Sequence, residues 1–404
     1  MNLEIRTITD DERVDWLRAA DTAFSSAAKD DEIEASLPVI EVDRSFAAVD
    51  GSRIVGTSAA ITFRMKVPGG ARIPTAGVTM VGVHPTHRRR GINTRMMGAI
   101  LDQAADRGEP LAALFASEGA IYGRFGYGMA SLFGEFQAES ARMAFVKGYE
   151  QRGRVELLPK DEAMALIDGI YDAALRPGGV ERSVSLRDHG FATVGEDKDR
   201  AWMYAVHFDE AEEADAYAVY WMKHDWPRSV PAGTITVKEC VASTPSGYAD
   251  IWRFLFDVDL VATVEAWNRP ADDPLLHLVR EPRRLRFGVA DGLWLRVVDV
   301  VAALEARRYA ADGRVIFGVV DPFRPEASGN YELVADGGAG RAARTDADAD
   351  LSGSVNILGA TYLGGSSFQQ LAWAGQVVEH SAGALDRADT MFASTPAPWC
   401  VVDF

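Results

Sequence analysis

Apolar and polar residues alternate from Leu3 to Ile8, a period of two that predicts a half-buried strand. The period then changes: Val14, Leu17, Ala20 and Phe24 recur at helical spacing behind Asp10 and Asp11, acidic residues that suit the positive end of a helix. A second short helix is expected over Asp30 to Leu37. Three strands follow, Ser45 to Val49, Arg53 to Lys66 and Arg72 to Val83. Asp50-Gly51 is a hairpin signal between the first two, and Val67-Pro68-Gly69-Gly70 turns the chain before the third. These predict an antiparallel meander. Next comes a helix with Ile92, Met96, Ala99 and Ile100 on one side, stopped by Gly108 and Pro110. Leu111 to Phe115 is an apolar run of the length of a buried strand, followed by a short helix and one more strand.

Past residue 150 the pattern starts again. A helix is predicted over Lys160 to Ala174, paired strands over Ala201 to Asp209 and Ala216 to His224, a strand over Thr234 to Val241, and a helix over Tyr248 to Phe256. The order of strands, loop and helix echoes the first unit. A third unit is expected to open with Leu293 to Val300. It continues with a helix to Ala306, strands over Arg314 to Asp321, Gly329 to Val334 and Gly338 to Arg344, and apolar segments from Ser354 to Tyr362 and Ser366 to Leu371. The class is α/β (α+β), in three domains with boundaries at 1–150, 151–290 and 291–404. A chain of 404 residues agrees with that number at ~150 residues per domain.

The chemistry concentrates between Val81 and Met97. A strand runs into Pro85, three arginines follow (Arg88, Arg89, Arg90), then Gly91 and a helix. The first N–H groups of a helix have no intrahelical partner, so a basic turn at that point makes an anion site. By itself the run is also compatible with a nucleic-acid contact. Formal net charge changes the balance. At −17 the chain repels nucleic acid and anionic membranes, and the basic loop becomes a local island suited to an anionic cofactor beside a cationic substrate. The acidic stretch Asp30, Asp31, Glu32, Glu34 is either a solvated helix face or an acidic rim that draws polyamines.

Other classes fall away. Two cysteines and seven scattered histidines form neither a zinc spacing nor a disulfide framework, and Asp346, Asp348 and Asp350 lack the glycine and later glutamate of a calcium loop, so no metal is expected. Leu351 to Val378 carries no charged residue but is too rich in Ser, Asn, Gln and Gly to span a membrane. No secretory signal opens the sequence, and a cytoplasmic enzyme is expected. Asp250, Trp252, Trp267, Asp272 and Asp273 read as structural residues. The four arginines between Arg280 and Arg286 read as partners for carboxylates. The last residues, Ala397 to Phe404, are apolar enough to dock rather than fray.

Arg88-x-x-Gly91-x-Asn93 resembles the pyrophosphate loop of the GNAT acetyltransferases, R/Q-x-x-G-x-G/A, with Asn93 departing from the small final residue. Ser117-Glu118-Gly119-Ala120-Ile121-Tyr122-Gly123-Arg124-Phe125-Gly126-Tyr127-Gly128 is similar to the stretch that carries the GNAT tyrosine. The order of elements over residues 1–140 resembles that fold as well. With a second unit that lacks the loop, a third that resembles a sterol-carrier domain, and a terminal Asp403-Phe404, the whole chain resembles the Eis family (enhanced intracellular survival proteins).

The resemblance implies an N-terminal GNAT domain, a degenerate GNAT-like domain and a sterol-carrier-like C-terminal domain. It implies acetyl-CoA as co-substrate, cationic amines such as aminoglycosides as acceptors, and assembly with itself as a hexamer. Val81, Gly82 and Val83 would offer backbone groups to the pantetheine. Arg88, Arg89, Arg90, Gly91, Ile92, Asn93 and Thr94 would hold the pyrophosphate. Ser117, with Glu118 beside it, would bond the pantetheine arm, cap the next helix, or do both. Tyr122 takes the role of general acid, with Tyr127 as its rival, and the carboxylate of Phe404 that of general base. Asp403 and Phe24 fall on the substrate side. Two other readings remain open: a transferase acting on protein lysines or N-termini, and a lipid-binding regulatory protein with a vestigial GNAT unit.

Overall fold

The computed structural model describes residues 3–194 and 200–404. The chain divides into two compact units, one of residues 1–131, 177–196 and 291–404, the other of residues 132–176 and 197–290.

Among the described residues, the main sheet of the first unit has seven strands. In spatial order they are Leu3–Thr7, Ser45–Asp50, Arg53–Lys66, Arg72–Val83, Leu111–Phe115, Leu293–Val297 and Gly128–Met129. The period-two pattern sends neighbouring residues to opposite faces. Ala47 and Ala59 pack with Trp16 and Leu17 of the helix Arg13–Ala23, while Phe46 and Ala60 pack with Met97, Ile100 and Leu101 of the helix Ile92–Asp106. Each large apolar side chain buried this way contributes ~1.5–3 kcal/mol. Trp16 also satisfies its indole N–H on the Phe46 carbonyl at 2.8 Å.

A buried ion pair ties the two ends of this layer together. Arg44, just before the second strand, donates two bonds to Glu109 at 2.7 and 2.6 Å, just after the long helix. Arg44 also donates to Thr62 Oγ1 at 2.7 Å. The same unit holds a five-stranded sheet, in spatial order Ala339–Thr345, Gly329–Asp336, Gly313–Val320, Leu351–Ser354 and Val377–Glu379. Phe317, Phe368 and Phe392 fill the space between this sheet and its helices, with ring centroids 5.1 to 5.8 Å apart.

The second unit also has a seven-stranded sheet among its described residues: Gly288–Asp291, Leu132–Glu139, Val261–Pro270, Gly233–Ala242, Ala214–Lys223, Met203–Phe208 and Arg154–Leu158. Its helix Pro245–Asp257 starts at a Thr244 cap, whose hydroxyl accepts from Gly247 N–H, with Pro245 in the first turn and no arginine loop. Asp250 is buried and bonded by Tyr149 and His207, Trp252 lies in the core, and Asp272 and Asp273 pair with Arg176 and Arg269. Trp267 is exposed.

Leu132–Glu139, the next strand in the chain after Gly128–Met129, pairs with Val261–Pro270 in the second sheet. Leu293–Val297, expected to open the third unit, instead lies antiparallel to Leu111–Phe115 in the first sheet, with Leu293 opposite Phe115 and Val297 opposite Leu111. That expectation is corrected here. Alternation specifies which face of a strand is buried, but not which strand it pairs with.

Candidate active site

The site forms where the Arg72–Val83 strand leaves the regular sheet. Between Thr57, opposite Gly82, and Ala59, opposite Thr79, the register slips, so that Ser58 faces both Met80 and Val81. This is a β-bulge. Met80 takes a positive φ of 52° there, and Thr57 Oγ1 holds its carbonyl at 2.9 Å. On its other edge the strand pairs with Leu111–Phe115 only from Thr75 opposite Leu111 to Gly77 opposite Ala113. Beyond Gly77 the two strands part. The Val81-Gly82-Val83 backbone therefore faces an open wedge instead of a ladder.

The arginine loop closes the wide end of that wedge. Pro85–His87 makes one tight turn, Arg89 has φ 62°, and Gly91 has φ 74° as the N-cap of the Ile92–Asp106 helix. Nothing lies within 4 Å of where a Gly91 side chain would begin, so glycine is required there by its backbone angle, not by space. The first intrahelical bond runs from Arg95 N–H to the Gly91 carbonyl at 3.1 Å. The N–H groups of Ile92, Asn93 and Thr94 precede it and stand at the helix's positive end. Arg88 braces the loop: its guanidinium donates to the Ala23 carbonyl at 2.7 Å, at the negative end of the Arg13–Ala23 helix, and to the Val83 carbonyl at 3.3 Å. Arg90 donates to the Thr86 carbonyl at 3.1 Å.

Wedge and loop enclose a cavity of about 510 Å³. Every residue assigned from the sequence to the cofactor lines it except Arg90. His87, Ile121 and Arg124 line it too and were not anticipated. Fit to a pyrophosphate-bearing thioester is good: a helix N-terminus, arginine charge, and an unladdered strand edge stand in the order that pyrophosphate and pantetheine need.

Tyr122 ends the short helix Gly119–Tyr122, and its ring meets Tyr127 edge-on at 6.0 Å. Burial pushes the Tyr122 phenol above its ordinary value of 10, and the Ser117 hydroxyl works the other way. Burial pushes Tyr127 up much further, and its hydroxyl has no partner among the described residues. Ser117 does not cap the short helix. The N-cap is Glu118, in an extended conformation and with no side-chain cap bond, which corrects that half of the expectation.

The far end of the chain reaches the same sheet. Trp399 N–H donates to the Pro177 carbonyl at 2.9 Å, and Trp399, Cys400 and Val402 are buried. The Phe404 ring packs edge-on against Phe63 at 4.8 Å and Phe115 at 5.4 Å, on the two strands that flank Arg72–Val83. Asp403 is exposed.

A second cavity, of about 600 Å³, lies beside the first, and Phe24 lines both. Its acidic residues are Asp21 and Glu32, with Lys29 and His189 also in the lining. Of the acidic stretch singled out in the sequence, only Glu32 reaches it. Asp21 was missed, although it stands in the last turn of the Arg13–Ala23 helix, three residues before Phe24. Burial raises the Asp21 carboxyl above its ordinary value of 3.8, partly opposed by Ser26.

A splayed parallel strand pair, a bulge beside it and an Arg-x-x-Gly loop opening the following helix define a GNAT-type N-acetyltransferase. Comparison with known proteins agrees. The acetyltransferase (GNAT) domain family matches residues 4–130, a second family of acetyltransferase (GNAT) domains matches residues 178–297, and the sterol carrier protein domain matches residues 300–401. An uncharacterized N-acetyltransferase of Streptomyces avermitilis is 39% identical over 405 residues, covering 99% of each chain. The N-acetyltransferase Eis of Mycobacterium tuberculosis is 33% identical over 353 residues, 85% of this chain and 84% of that one. The crystal structure of Eis1 from Mycobacterium abscessus superposes with a TM-score of 0.86 at 32% identity, covering 100% of both chains. The chain belongs to the Eis family of N-acetyltransferases.

Proposed function

We propose that the chain transfers the acetyl group of acetyl-CoA to amines of polycationic small molecules, aminoglycosides being the type. The observation that carries this reading is the pair of adjoining cavities that share Phe24, one lined by arginines and one where the carboxylates Asp21 and Glu32 outnumber Lys29. The loop from Arg88 to Thr94 and the Val81–Val83 edge hold the coenzyme, with Ser117 and Glu118 at the pantetheine end. Bound acetyl-CoA supplies an activated thioester. Asp21 and Glu32 attract the ammonium groups of the acceptor and Phe24 stacks on its body; Asp403, exposed and in neither cavity lining, is the further candidate for an ammonium group.

Amine attack on a thioester needs a neutral amine and a protonated leaving group. The Phe404 carboxylate takes the amine proton. Support for this comes from its ring, which is anchored on Phe63 and Phe115. Tyr122 gives a proton to the leaving sulfur. Its burial keeps the phenol protonated through the neutral range, as an acid must be. Neither tyrosine lines either cavity, and Tyr127 is the weaker candidate because it is the more deeply buried and burial pushes its phenol up much further.

By the same family reading the chain works in the cytoplasm, as a hexamer. Among the described residues no helix is long and apolar enough to cross a membrane. The test is acetyl-CoA turnover on a panel of aminoglycosides and lysine peptides. Turnover on aminoglycosides at several amines is expected. Turnover on the peptides alone would move the function to protein acetylation, and none on any amine would end the enzymatic reading.

A further inference from the structure

The loop that carries Tyr122 is not held by its own domain alone. The side-chain amide of Asn356, at the start of the helix Asn356–Thr361, donates to the Gly123 carbonyl at 2.7 Å and to the Tyr127 carbonyl at 2.8 Å. These two acceptors bracket the turn that follows Tyr122. Both carbonyls can only accept, which sets the amide with its N–H₂ toward the loop, and its oxygen accepts from Ser354 Oγ. Asn356 falls within the sterol carrier protein domain, residues 300–401.

Two glycines of the same loop show how tightly the segments fit. Gly126 has φ 84°, and a Cβ there would lie 1.6 Å from Arg296 Nη1 and 2.8 Å from Val355 Cγ1. Arg296 is itself fully buried and paired with Asp321. A Cβ on Gly128 would lie 2.0 Å from the Asn356 carbonyl oxygen and 2.5 Å from Ala360 N. The glycines of the Tyr122 loop thus make room for backbone of the C-terminal domain and for the buried Arg296–Asp321 pair behind it.

We propose that Asn356 is a positioning residue for acetyl transfer, the point at which the C-terminal domain holds the Tyr122 loop in its working geometry. The proposal rests on the reading of Tyr122 as general acid. It gives the sterol-carrier-like domain a task in this enzyme that needs no lipid: with Asn356 bonded across Gly123 and Tyr127, the backbone that carries the phenol has one position. A displacement on the order of 1 Å of a reacting group costs about 10²-fold in rate, so a carbonyl clamp next to the acid controls kcat more than coenzyme binding.

The test is Asn356→Asp in the full chain, alone and combined with Tyr122→Phe. The aspartate has the size of asparagine but turns acceptor oxygens toward two carbonyls. Expected are a fall in kcat of about 10- to 100-fold, a KM for acetyl-CoA within about threefold of wild type, and little or no further fall when the change is added to Tyr122→Phe. Ser354→Ala, which only frees the Asn356 amide, should give a smaller fall of several-fold with the same dependence on Tyr122, and it replaces Asn356→Asp if that chain does not fold. Wild-type kcat in the folded Asn356 or Ser354 variant overturns the proposal. So does an equal fall in both Tyr122 backgrounds, which would make Asn356 independent of the acid. Wild-type kcat in Tyr122→Phe by itself would instead sink the acid assignment, and the positioning role with it.

Discussion

Removing one hydroxyl at a time from Tyr122 and Tyr127 separates an acid from a packing residue. Tyr122→Phe keeps the ring and its contact with Tyr127 but removes the proposed proton donor to the sulfur. A positioned general acid contributes ~10²–10⁴-fold, which at ~1.36 kcal/mol per decade is about 3–5 kcal/mol of barrier. Stability should barely change. Tyr127→Phe should do the reverse. Its hydroxyl is fully buried and has no partner among the described residues, so its lost hydration costs the fold about 1–3 kcal/mol, and deleting it should return part of that while leaving kcat intact. The assay is thiol release at saturating acetyl-CoA and amine, with thermal unfolding of each variant. The pH profile adds a sign. Burial raises the Tyr122 phenol above 10, so its proton is present at every lower pH and lost only as pH rises past that range. The alkaline fall in kcat that belongs to it should therefore lie above pH 10. Tyr122→Phe within threefold of wild type, or Tyr127→Phe falling as far as Tyr122→Phe was expected to, would refute the assignment.

Three further outcomes follow from the geometry. Gly91→Ala puts a side chain at φ 74°, a strain of ~1–2 kcal/mol at the loop, and should raise the KM for acetyl-CoA up to about tenfold; an unchanged KM would show that the loop does not hold the coenzyme. Glu109→Ala leaves the buried Arg44 guanidinium without its carboxylate and should cost ~3–5 kcal/mol in urea unfolding, whereas a loss below about 1 kcal/mol would mean that Thr62 and water suffice for Arg44. Because burial raises Asp21, its charge is present only above a pH higher than the ordinary 3.8 and is lost earlier on acidification. The Kd for a cationic amine should accordingly rise as pH falls, by about fivefold for a pair of ~1 kcal/mol, and Asp21→Asn should abolish that rise; a pH-dependent Kd that survives Asp21→Asn would place the charge elsewhere.

The parts of the site that were legible in the sequence are those encoded locally. The Arg88–Thr94 loop needs only a basic turn, one glycine and a helix start within a few residues, and all of them line one cavity apart from Arg90. The hairpins and the long helix likewise follow from turn residues and period. What was not legible depends on pairing across distance. The bulge at Met80 appears only when Ser58 is set against two residues of the next strand. The placement of Leu293–Val297 beside Leu111–Phe115 joins positions that no local pattern connects. Asn356 looked like one polar residue in an apolar stretch, and its bonds to Gly123 and Tyr127 exist only in the folded chain. Asp21 was hidden by a louder signal, the run from Asp30 to Glu34, of which only Glu32 turns toward the cavity.

The central claim is that an acetyl donor held by the arginine loop reacts only when the Phe404 carboxylate is brought to it. The most direct measurement is acetyl transfer to an aminoglycoside by the chain with its Phe404 carboxylate amidated, beside the unmodified chain, with acetyl-CoA binding measured on both. Loss of a base contributing ~10²–10⁴-fold predicts a fall in kcat of that size in the amidated chain, with the affinity for acetyl-CoA unchanged. Equal turnover by the two chains would contradict the account.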